Sequence, residues 1–297
     1  TEGHIIYDSV RGVGKRLIVD ATTAENSPYG LESFNKDGFS ISEWSGVNTN
    51  SNDHVAWCWK AGNGTVENSD GTITSTVSVN QDAGFSIVSY TGDLTGGGVT
   101  PVGHGLNQAP DVVITKGRDV IGNWWVQHSD TSTASHALNL NATTAETDKS
   151  GNGTLLRPTA TTFSTNYTDG LNVNTKLFIA YCWHSVEGFS KFGSYIGNGT
   201  TDGPFVYLGF KPAMIIIKQI TDAGQNWEIF DNKRPGFNPD NRRLYPSLPD
   251  AEPSASARVD FLSNGFKLTT SGGTHVNGSG KTMIYAAWAE MPFKYAN

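Results

Sequence analysis

The histidines are the residues of this chain best suited to acid–base or metal chemistry. No two of them are spaced as HExxH or His-x-His, the arrangements that bring two imidazoles to one zinc ion. The phosphate-binding and nucleophile motifs GxxxxGK[ST], GxGxxG and GxSxG are also absent from the sequence. We therefore expect no enzyme activity, no cofactor and no metal site at any of these residues: His4, His54, His104, His128, His136, His184 and His275.

The carboxylates lead to the same expectation. Many aspartates lie in turn sequences, where an aspartate side chain usually hydrogen-bonds its own backbone. No EF-hand loop or calcium-binding nonapeptide repeat is present. Glycoside hydrolysis requires two carboxylates that converge across a cleft, and nothing in the sequence points to such a pair. The turn aspartates are Asp37, Asp93, Asp119, Asp202 and Asp222.

Two cysteines, Cys58 and Cys182, are compatible with either of two roles. Each could be a nucleophile, or each could be a small buried residue on a core strand. Free cysteine is among the most buried residue types, and Ala287 stands at the corresponding place in a third similar segment. We therefore favour the core role. Two cysteines in 297 residues do not make a disulfide framework.

Aromatic rings near loops rich in Gly, Asn and Thr are candidates for stacking on sugars. We expect most of the eight tryptophans to fill cores. Trp44 and one of the adjacent pair Trp124 and Trp125 must face differently, which makes them the better surface candidates. The candidate glycan-stacking residues are Trp44, Trp124, Trp125, Tyr167 and Tyr195, whereas the expected core residues are Trp57, Trp59, Trp183, Trp227 and Trp288.

Composition excludes several classes of partner. The formal net charge is −7 and charged residues make up only 16% of the chain, so the basic patch of a nucleic-acid surface is not expected. No apolar run approaches the roughly 20 residues that span a membrane as a helix. Short apolar runs rich in β-branched and aromatic residues alternate with turn sequences such as KDGF and SNGF. This pattern predicts an all-β chain.

The chain repeats itself at long range. RLIVDATTAE at 16–25 is matched by ALNLNATTAE at 137–146 and, more weakly, by RRLYPSLPDAE at 242–252. HVAWCW, FIAYCW and MIYAAW follow at similar distances, so Trp59, Trp183 and Trp288 occupy one aligned position. Upstream, APDVVITKGRD at 109–119 pairs with KPAMIIIKQITD at 211–222. A period slightly over 100 residues has the size of a domain.

We therefore predict two and a half copies of one unit. Repeat 1 comprises residues 1–61 and contains only a closing half, repeat 2 comprises 62–187, and repeat 3 comprises 188–297. Each unit is predicted to be an antiparallel, jelly-roll-like β-sandwich. The HVAWCW run is expected to be a central strand buried on both faces. The ATTAE segments are compatible with a short helix or with a turn.

A closing half alone would leave strand edges and an apolar face uncovered. One hypothesis is that the missing strands lie upstream in a longer chain. The other is that a neighbouring subunit supplies them.

HVAWCWKAG, GFSIVSYTGD, VGHGLNQAPDVVITKGRD and VDFLSNGFKLTTS together resemble an uncharacterised tandem-repeat family. That family occurs in virion and tail-fibre-associated proteins of marine tailed phages, including those of cyanobacteria. The resemblance covers nearly the whole chain. It implies an extracellular structural role in a virion, with other virion proteins as partners and no known catalytic residues. By analogy with phage fibres it also implies a homo-oligomer, namely a trimer.

The leading functional hypothesis is therefore a tail-fibre, appendage or capsid-surface component that contacts host-surface glycan. Several weak glycan contacts on one particle would sum to useful avidity. One alternative is the carbohydrate-binding module of a secreted bacterial protein. The second alternative is a polysaccharide depolymerase.

Overall fold

Antiparallel strands dominate the chain, and the prediction of an all-β protein is confirmed at that level. The computed structural model describes residues 3–27, 29–151, 157–166, 169–234, 238, 240–271 and 274–290. Within these ranges every pairing between the strands named below is antiparallel. The described helices are single turns. The ATTAE segments form no helix, and most of their residues have no regular secondary structure.

The described part of repeat 1 holds short strands only. Its elements are β1 (Ile5–Ile6), β2 (Leu17–Ile18), β3 (Leu31–Asn35), β4 (Gly38–Ile41) and α1 (Ser45–Asn48). β1 pairs with β2, and β3 pairs with β4 as a hairpin. Neither pair joins a larger sheet through the described strands.

Repeat 2 contains the largest sheet. Its strands are β5 (Val66–Asn68), β6 (Ser75–Asn80), β7 (Phe85–Thr91), β8 (Val99–Gly103), β9 (Val112–Gly117), β10 (Trp125–His128), β11 (His136–Asn139), β12 (Thr147–Asp148), β13 (Thr162–Asn166) and β14 (Leu177–Trp183). Eight of them form one sheet in the order β12-β11-β10-β9-β14-β7-β6-β5. The other two strands, β8 and β13, pair only with each other.

Repeat 3 is organised into two four-stranded sheets. Its elements are β15 (Ser190–Ile196), β16 (Phe205–Tyr207), β17 (Pro212–Gln219), β18 (Trp227–Asp231), β19 (Asp240–Arg242), β20 (Ser254–Leu262), β21 (Gly265–Leu268), α2 (Thr274–Asn277) and β22 (Thr282–Ala289). The sheet orders are β15-β22-β17-β18 and β16-β21-β20-β19. Gly84 and Gly188, which precede β7 and β15, have φ of 59° and 77°, a conformation that glycine adopts without the strain of a Cβ.

Side chains of the central strands alternate between two apolar clusters, as the period of two along a strand requires. On β14, Ile179, Tyr181 and Trp183 enter one cluster, while Ala180 and Cys182 enter another. β17 and β22 divide in the same way between the first cluster and a third one. Both faces of these strands are therefore buried.

The first of these clusters joins all three predicted repeats, and we call it the central cluster. It contains Leu17 from repeat 1, Ile179 and Tyr181 from repeat 2, and Met214 and Ile284 from repeat 3, among others. The other two clusters stay within repeat 2 and repeat 3, and each lies between two sheets of its own repeat. Residues of all three predicted repeats thus share one apolar cluster, in addition to one cluster within residues 62–187 and one within residues 188–297.

Three tryptophans at one aligned sequence position meet in the central cluster. The Trp59 ring centroid lies 6.2 Å from that of Trp183 and 5.2 Å from that of Trp288, and the last two are 6.2 Å apart. All three contacts are edge-to-face, the arrangement that the ring quadrupole favours. Each such pair contributes about 0.5–1.5 kcal/mol beyond its buried area.

The expectation of a buried central strand at HVAWCW is wrong for repeat 1. Residues 54–59 belong to no strand, and within the described ranges their backbone makes no hydrogen bond to a neighbouring strand. Trp57 and Trp59 do face the central cluster, but Ala56 and Cys58 on the opposite face are exposed. By contrast, β14 is flanked by β7 and β9. A strand requires hydrogen-bonded neighbouring strands, and the described chain supplies none beside residues 54–59. These residues therefore form no strand.

Replacing Trp59 with alanine tests whether the central cluster holds the molecule together. We expect a loss of about 3 kcal/mol in the free energy of unfolding, because a packed indole leaves a cavity. The measurement is urea unfolding followed by circular dichroism. Tyr29→Ala is the matched control, because its ring is 78% exposed and its loss leaves no cavity. Equal effects of the two substitutions would contradict the proposed role of the central cluster.

Candidate functional site

The expectation that one of the paired tryptophans Trp124 and Trp125 lies at the surface needs correction, since both are buried. They do point to opposite faces, but both faces are covered. Trp124 lies in the central cluster, and Trp125 packs with Ala137 and Leu171. Both indole nitrogens donate to backbone carbonyl oxygens. Neither ring therefore offers an open face to a sugar.

The other glycan-stacking candidates lie apart from this pair. The half-buried Trp44 ring carries the Arg16 guanidinium 4.6 Å from its centroid. The Tyr195 hydroxyl donates to the Val276 carbonyl at 2.6 Å, and its ring packs against the core of repeat 3. Tyr167 lies outside the described residues. The structure does not bring the described candidates Trp44, Trp124, Trp125 and Tyr195 together into one platform.

Two exposed rings that the sequence reasoning missed lie on β16, at the edge of its sheet. Phe205 is 46% exposed and Tyr207 is 59% exposed, while Val206 between them is buried. Residues two apart on a strand share a face, so the two rings lie side by side. The Lys191 ammonium lies 5.3 Å from the Tyr207 ring centroid. The alternation in the sequence PFVYLG was the signal that could have identified them.

A hydrogen bond from an indole links each later repeat to the preceding one. The Trp124 Nε1–H of repeat 2 donates to the Ile18 carbonyl of repeat 1 at 2.9 Å. The Trp227 Nε1–H of repeat 3 donates to the Asn139 carbonyl of repeat 2, also at 2.9 Å. Ile18 and Asn139 occupy one aligned position in the ATTAE-containing segments. The same contact therefore recurs between successive repeats.

A third contact links repeat 1 to repeat 3. His4 takes the place of Trp124 and Trp227, because Val19 N donates to the His4 carbonyl just as Leu140 N donates to that of Trp124. The His4 ring lies close enough to the backbone of Tyr245 in repeat 3 to interact with it. Burial lowers the pKa of His4, while the carboxylate of Asp20 and the backbone of Tyr245 oppose the shift. Repeat 1 thus contacts both other repeats.

The two ATTAE segments also make matching contacts with the following repeat. The Thr22 carbonyl accepts hydrogen bonds from Gly122 N at 2.9 Å and from the Lys116 ammonium at 3.0 Å. The Thr143 carbonyl accepts from Gly224 N at 2.8 Å. Burial lowers the pKa of Lys116 to about 8. The repeated sequence thus accepts a backbone hydrogen bond from a glycine of the following repeat in both places.

A buried ion cluster braces repeat 1 against repeat 2. The Arg11 guanidinium donates to Asp8 and to Glu25, at 2.5 and 3.2 Å, with its side chain fully buried. The Tyr181 hydroxyl of β14 donates to Asp8 at 2.7 Å, and Arg118 of repeat 2 donates to Glu25 at 3.0 Å. Burial alone would raise the pKa of Glu25, but the hydrogen bonds and charges of the two arginines lower it. We call these five residues the repeat 1 clip.

Repeat 3 contains a matching set of an arginine and two carboxylates. Arg234 donates to Asp231 at 2.7 Å and to Glu252 at 2.6 Å. Asp231 also accepts the backbone N–H of Arg234, as Asp8 accepts that of Arg11. The spacing Asp-x-x-Arg followed by a distant Glu was present in both copies of the sequence, but only the geometry reveals its purpose.

In repeat 2, His128 occupies the position that aligns with Asp8 of repeat 1 and Asp231 of repeat 3. His128 Nδ1 accepts the Asp130 N–H, and its Nε2 lies 3.2 Å from the Tyr285 carbonyl of repeat 3. The Arg157 guanidinium donates to three backbone carbonyls, including that of His128. Burial lowers the pKa of His128. The histidine is thus a buried neutral link between repeats 2 and 3.

A second buried charge cluster lies inside repeat 3. Glu228 is fully buried, with its carboxylate oxygens 3.7 Å from Nε of Arg243 and of Arg258. Within the described residues neither oxygen has a hydrogen-bond partner. Burial raises the pKa of Glu228 against the charges of both arginines. A carboxyl of raised pKa is a feature of catalytic acids, but the burial of both oxygens leaves no room for a substrate.

The cysteines separate into two environments. Cys182 is buried on β14, as expected of a core residue, whereas Cys58 is exposed and therefore departs from that expectation. Burial raises the pKa of both thiols, the opposite of what an activated nucleophile needs. In the described part of the chain no three His, Cys, Asp or Glu side chains are grouped to hold a metal ion. No helix among those residues has the length and hydropathy to cross a membrane.

The comparisons with known proteins give a single finding. A family profile described as "Domain of unknown function (DUF7483)" matches residues 1–292. No curated protein and no solved structure matches the chain significantly.

Arg11→Met tests the repeat 1 clip. The substitution keeps most of the side-chain volume but leaves the buried Asp8 carboxylate without its cation and removes one of the two arginines that donate to Glu25. We expect a loss of about 3–5 kcal/mol in the free energy of unfolding, measured by urea titration at neutral pH. Lys15→Met is the matched control: Lys15 is 43% exposed and lies 3.9 Å from Glu25, so its loss should cost no more than about 0.5 kcal/mol. Equal losses would show that the clip carries no special role.

The buried His128 predicts a pH dependence. Because its folded pKa is lowered, the unfolded chain binds this proton more readily. The contribution of His128 to stability is therefore complete above the unfolded pKa of about 6.5 and is lost as the pH falls toward the folded pKa. Urea unfolding at pH 7.5 and 5.5 should show a steeper loss for the native chain than for His128→Asn, by up to about 1.4 kcal/mol per pH unit.

His54→Asn, at an exposed position, is the control for this pH dependence and should keep the native slope. His4, His104 and His275 also have pKa values lowered by burial, so His128→Asn should retain part of the slope. An unchanged slope in His128→Asn would refute the assignment of a buried neutral histidine.

Proposed function

The chain belongs to the family described as a domain of unknown function (DUF7483), and we propose that it is a structural protein of a virion. In this proposal it is a tail-fibre, appendage or capsid-surface component, located outside the host cell and assembled with other virion proteins. The observation that carries the proposal is the cyclic set of matching contacts between aligned positions of its three predicted repeats. Such contacts build one rigid block from one sequence unit.

The proposed architecture has two sandwich-like units, repeats 2 and 3, and the half unit of repeat 1, arranged around a common centre. Trp59, Trp183 and Trp288 mark that centre, because each ring contacts the other two. Repeat 2 contacts repeat 1 through Trp124, repeat 3 contacts repeat 2 through Trp227, and repeat 1 contacts repeat 3 through His4. A linear array of repeats would bring only neighbours into contact. The third contact closes the set into a ring.

Rigidity is what this arrangement achieves. The central cluster, the contacts of the repeat 1 clip with Tyr181 and Arg118, and the edge-to-face tryptophans all join different units and restrict motion between them. A virion component must transmit or withstand force without rearranging, so strong coupling between units suits that role. Enzymes instead need an accessible cleft with converging polar groups, and the buried ionisable groups described above serve as links between or within repeats. That the protein is not an enzyme stays a prediction from the sequence.

Partners follow from the same proposal. The resemblance to phage tail-fibre-associated repeats supports a virion location, and analogy with phage fibres supports a homotrimer. Host-surface glycan is the proposed external ligand. The ring pair Phe205 and Tyr207 is better exposed for it than the four described aromatic residues singled out from the sequence. Asp202, in the loop before β16, forms an ion pair with Lys267, which lies opposite Phe205 on the neighbouring strand β21.

That same ring pair favours one alternative, the carbohydrate-binding module of a secreted bacterial protein. Stacking of a sugar on exposed rings requires no virion. The two functions differ in where the chain is found, because a secreted module would be free in the medium.

Cryo-electron microscopy of purified particles from the source phage tests the virion proposal. We expect density for this chain at the tail periphery or on the capsid surface, with the three units around one centre as described. Peptide mass spectrometry of the same particles is the control for composition. Particles that lack both the density and the peptides would refute the virion role, and recovery of the chain from the medium would favour the secreted module.

A further inference from the structure

One side of repeat 3 is open where the matching side of repeat 2 is closed. In repeat 2, β6 pairs with β7 and β5 pairs with β6, so the large sheet continues past β7. In repeat 3, β15 pairs with β22 as β7 pairs with β14, but β15 is the edge of its sheet in the described chain. β16 is likewise the edge strand of the second sheet. We call the side bordered by β15 and β16 the open side of repeat 3.

The chain around β5 and β6 also covers β8, the strand of repeat 2 that corresponds to β16. Ile73 forms a parallel bridge with Val102 of β8. The Asn68 side chain occupies the space that a Cβ on Gly103 would need. Among the described strands, β16 pairs with β21 alone. The side of repeat 2 is therefore filled by its own chain, and the side of repeat 3 is not.

Repeat 3 carries aromatic rings at two positions where repeat 2 has none. β8 and β16 align through a buried valine that faces a phenylalanine of the neighbouring strand in each repeat. Phe205 therefore takes the place of Pro101, and Tyr207 takes the place of Gly103. Neither ring belongs to any apolar cluster of the described residues. Since repeat 2 folds without rings at these positions, packing does not require them.

Each of the two rings contacts a glycine. A Cβ on Gly265 would lie 3.0 and 3.1 Å from two ring carbons of Phe205, so glycine leaves the room that this ring position needs. A Cβ on Gly209 would lie 3.6 Å from the Tyr207 hydroxyl. Residues two apart on a strand are about 7 Å apart. Backbone thus supports two neighbouring rings that remain about half exposed to solvent.

Lys191 of β15 places a positive charge beside one of these rings. Its ammonium lies 5.3 Å from the Tyr207 ring centroid and donates to the Tyr207 carbonyl at 2.8 Å. Other lysines of repeat 3 form ion pairs with carboxylates, whereas the described residues give Lys191 no carboxylate partner. An ammonium has three N–H donors. Lys191 therefore keeps donors and a positive charge for a ligand.

The same lysine disfavours a protein strand as the ligand. Lys191 shares a face of β15 with Tyr195, which packs against the core of repeat 3. Lys191 takes the place of the fully buried Ser86 of β7, because each pairs with the aligned position on the closing strand. A charge that points inward on an edge strand opposes the addition of another strand, and so does a short edge strand such as β16.

Charge differs between the two ends of the ring pair. Lys267, opposite Phe205, forms an ion pair with Asp202 at 2.5 Å and lies opposite Asp260 on its other side. One cation thus faces two carboxylates near Phe205, whereas the unpaired cation lies at Tyr207. A complementary ligand has two apolar ring faces and a negative group at the Tyr207 end only.

We propose that the open side of repeat 3 binds an acidic polysaccharide. One sugar stacks on Phe205 and another on Tyr207, and the carboxylate of the sugar on Tyr207 accepts hydrogen bonds from the Lys191 ammonium. The apolar C–H face of a sugar suits the electron-rich face of an aromatic ring, and the ammonium makes a charge-assisted hydrogen bond to the carboxylate. This inference rests on the proposed function, in which host-surface glycan is the external ligand, and it names the class of glycan.

Isothermal titration calorimetry of the full chain tests the inference. The probes are oligosaccharides of hyaluronate, heparosan and polymannuronate, each with its carboxyl-reduced form, in which a hydroxymethyl group replaces every carboxylate. We expect an acidic probe to bind about tenfold or more tightly than its reduced form, and more weakly as the salt concentration rises. No binding of any acidic probe, or equal binding of the reduced form, would overturn the inference.

Substitutions separate stacking from charge. Phe205→Ala and Tyr207→Ala should each weaken the binding of the acidic probe by about tenfold, the loss of one ring contact, and keep its salt dependence. Lys191→Met should weaken binding and remove most of the salt dependence, and Lys191→Arg should restore both. An unchanged salt dependence in Lys191→Met would refute the carboxylate contact.

Two matched controls remove a ring and a charge elsewhere. Tyr29 is 78% exposed in repeat 1. The Lys233 side chain is 76% exposed and follows β18, at the opposite edge of the sheet from β15. Tyr29→Ala and Lys233→Met should bind the acidic probe as the native chain does. Losses in these controls equal to those in the site variants would overturn the inference.

Sedimentation of the chain decides whether a second copy occupies the open side instead. Association that grows with protein concentration and is abolished by Phe205→Ala and Tyr207→Ala would overturn the inference. Calorimetry of the isolated chain does not depend on particle imaging. Particles that contain the chain, together with a chain that binds no acidic probe, would retain the virion role and refute this site. Binding by a chain that is absent from particles would refute the virion role alone.

Discussion

Strands that are apolar on both faces impose the constraint on which the rest of this structure depends. The strands β14, β17 and β22 carry apolar side chains on both faces of their sheets. A single partner sheet covers only one of these two faces. In repeats 2 and 3 the first face is covered inside the repeat. The second face can be covered only by another repeat, and the central cluster is the result. Association between the repeats is therefore part of folding.

Packing of the repeats against one another also buries polar groups, and these groups need hydrogen-bonding or ionic partners. Asp8, Arg11 and Glu25 meet where repeat 1 packs against repeat 2, and their pairing offsets the cost of removing them from water. Buried Lys116 likewise donates to two carbonyls, one of them in repeat 1. Such groups add little net stability compared with apolar side chains of the same volume. They do penalise any other register between repeats, because a shifted register leaves a buried charge without a partner.

The β class and the positions of the central strands could be predicted from the sequence, because the alternation of apolar residues and the turn residues are local signals. It also aligned Trp59, Trp183 and Trp288, but it gave no reason for these residues to meet, since a meeting point depends on how the units pack. The burial of Trp124 and Trp125 was missed because a strand with an apolar residue on each face can be covered on both sides. The exposure of Cys58 was missed because the core role assumed ladder partners that the described chain does not supply. Each error concerns what lies on the far side of a sheet, which no local pattern reports.

Segment-resolved hydrogen exchange during a urea titration tests the shared core most directly. If the central cluster couples the units, amides in β9, β14, β17 and β22 lose protection at one urea concentration, as a cooperative two-state transition requires. Separate midpoints for residues 62–187 and 188–290 would contradict the account, because the two repeats would then fold as independent sandwiches that merely touch.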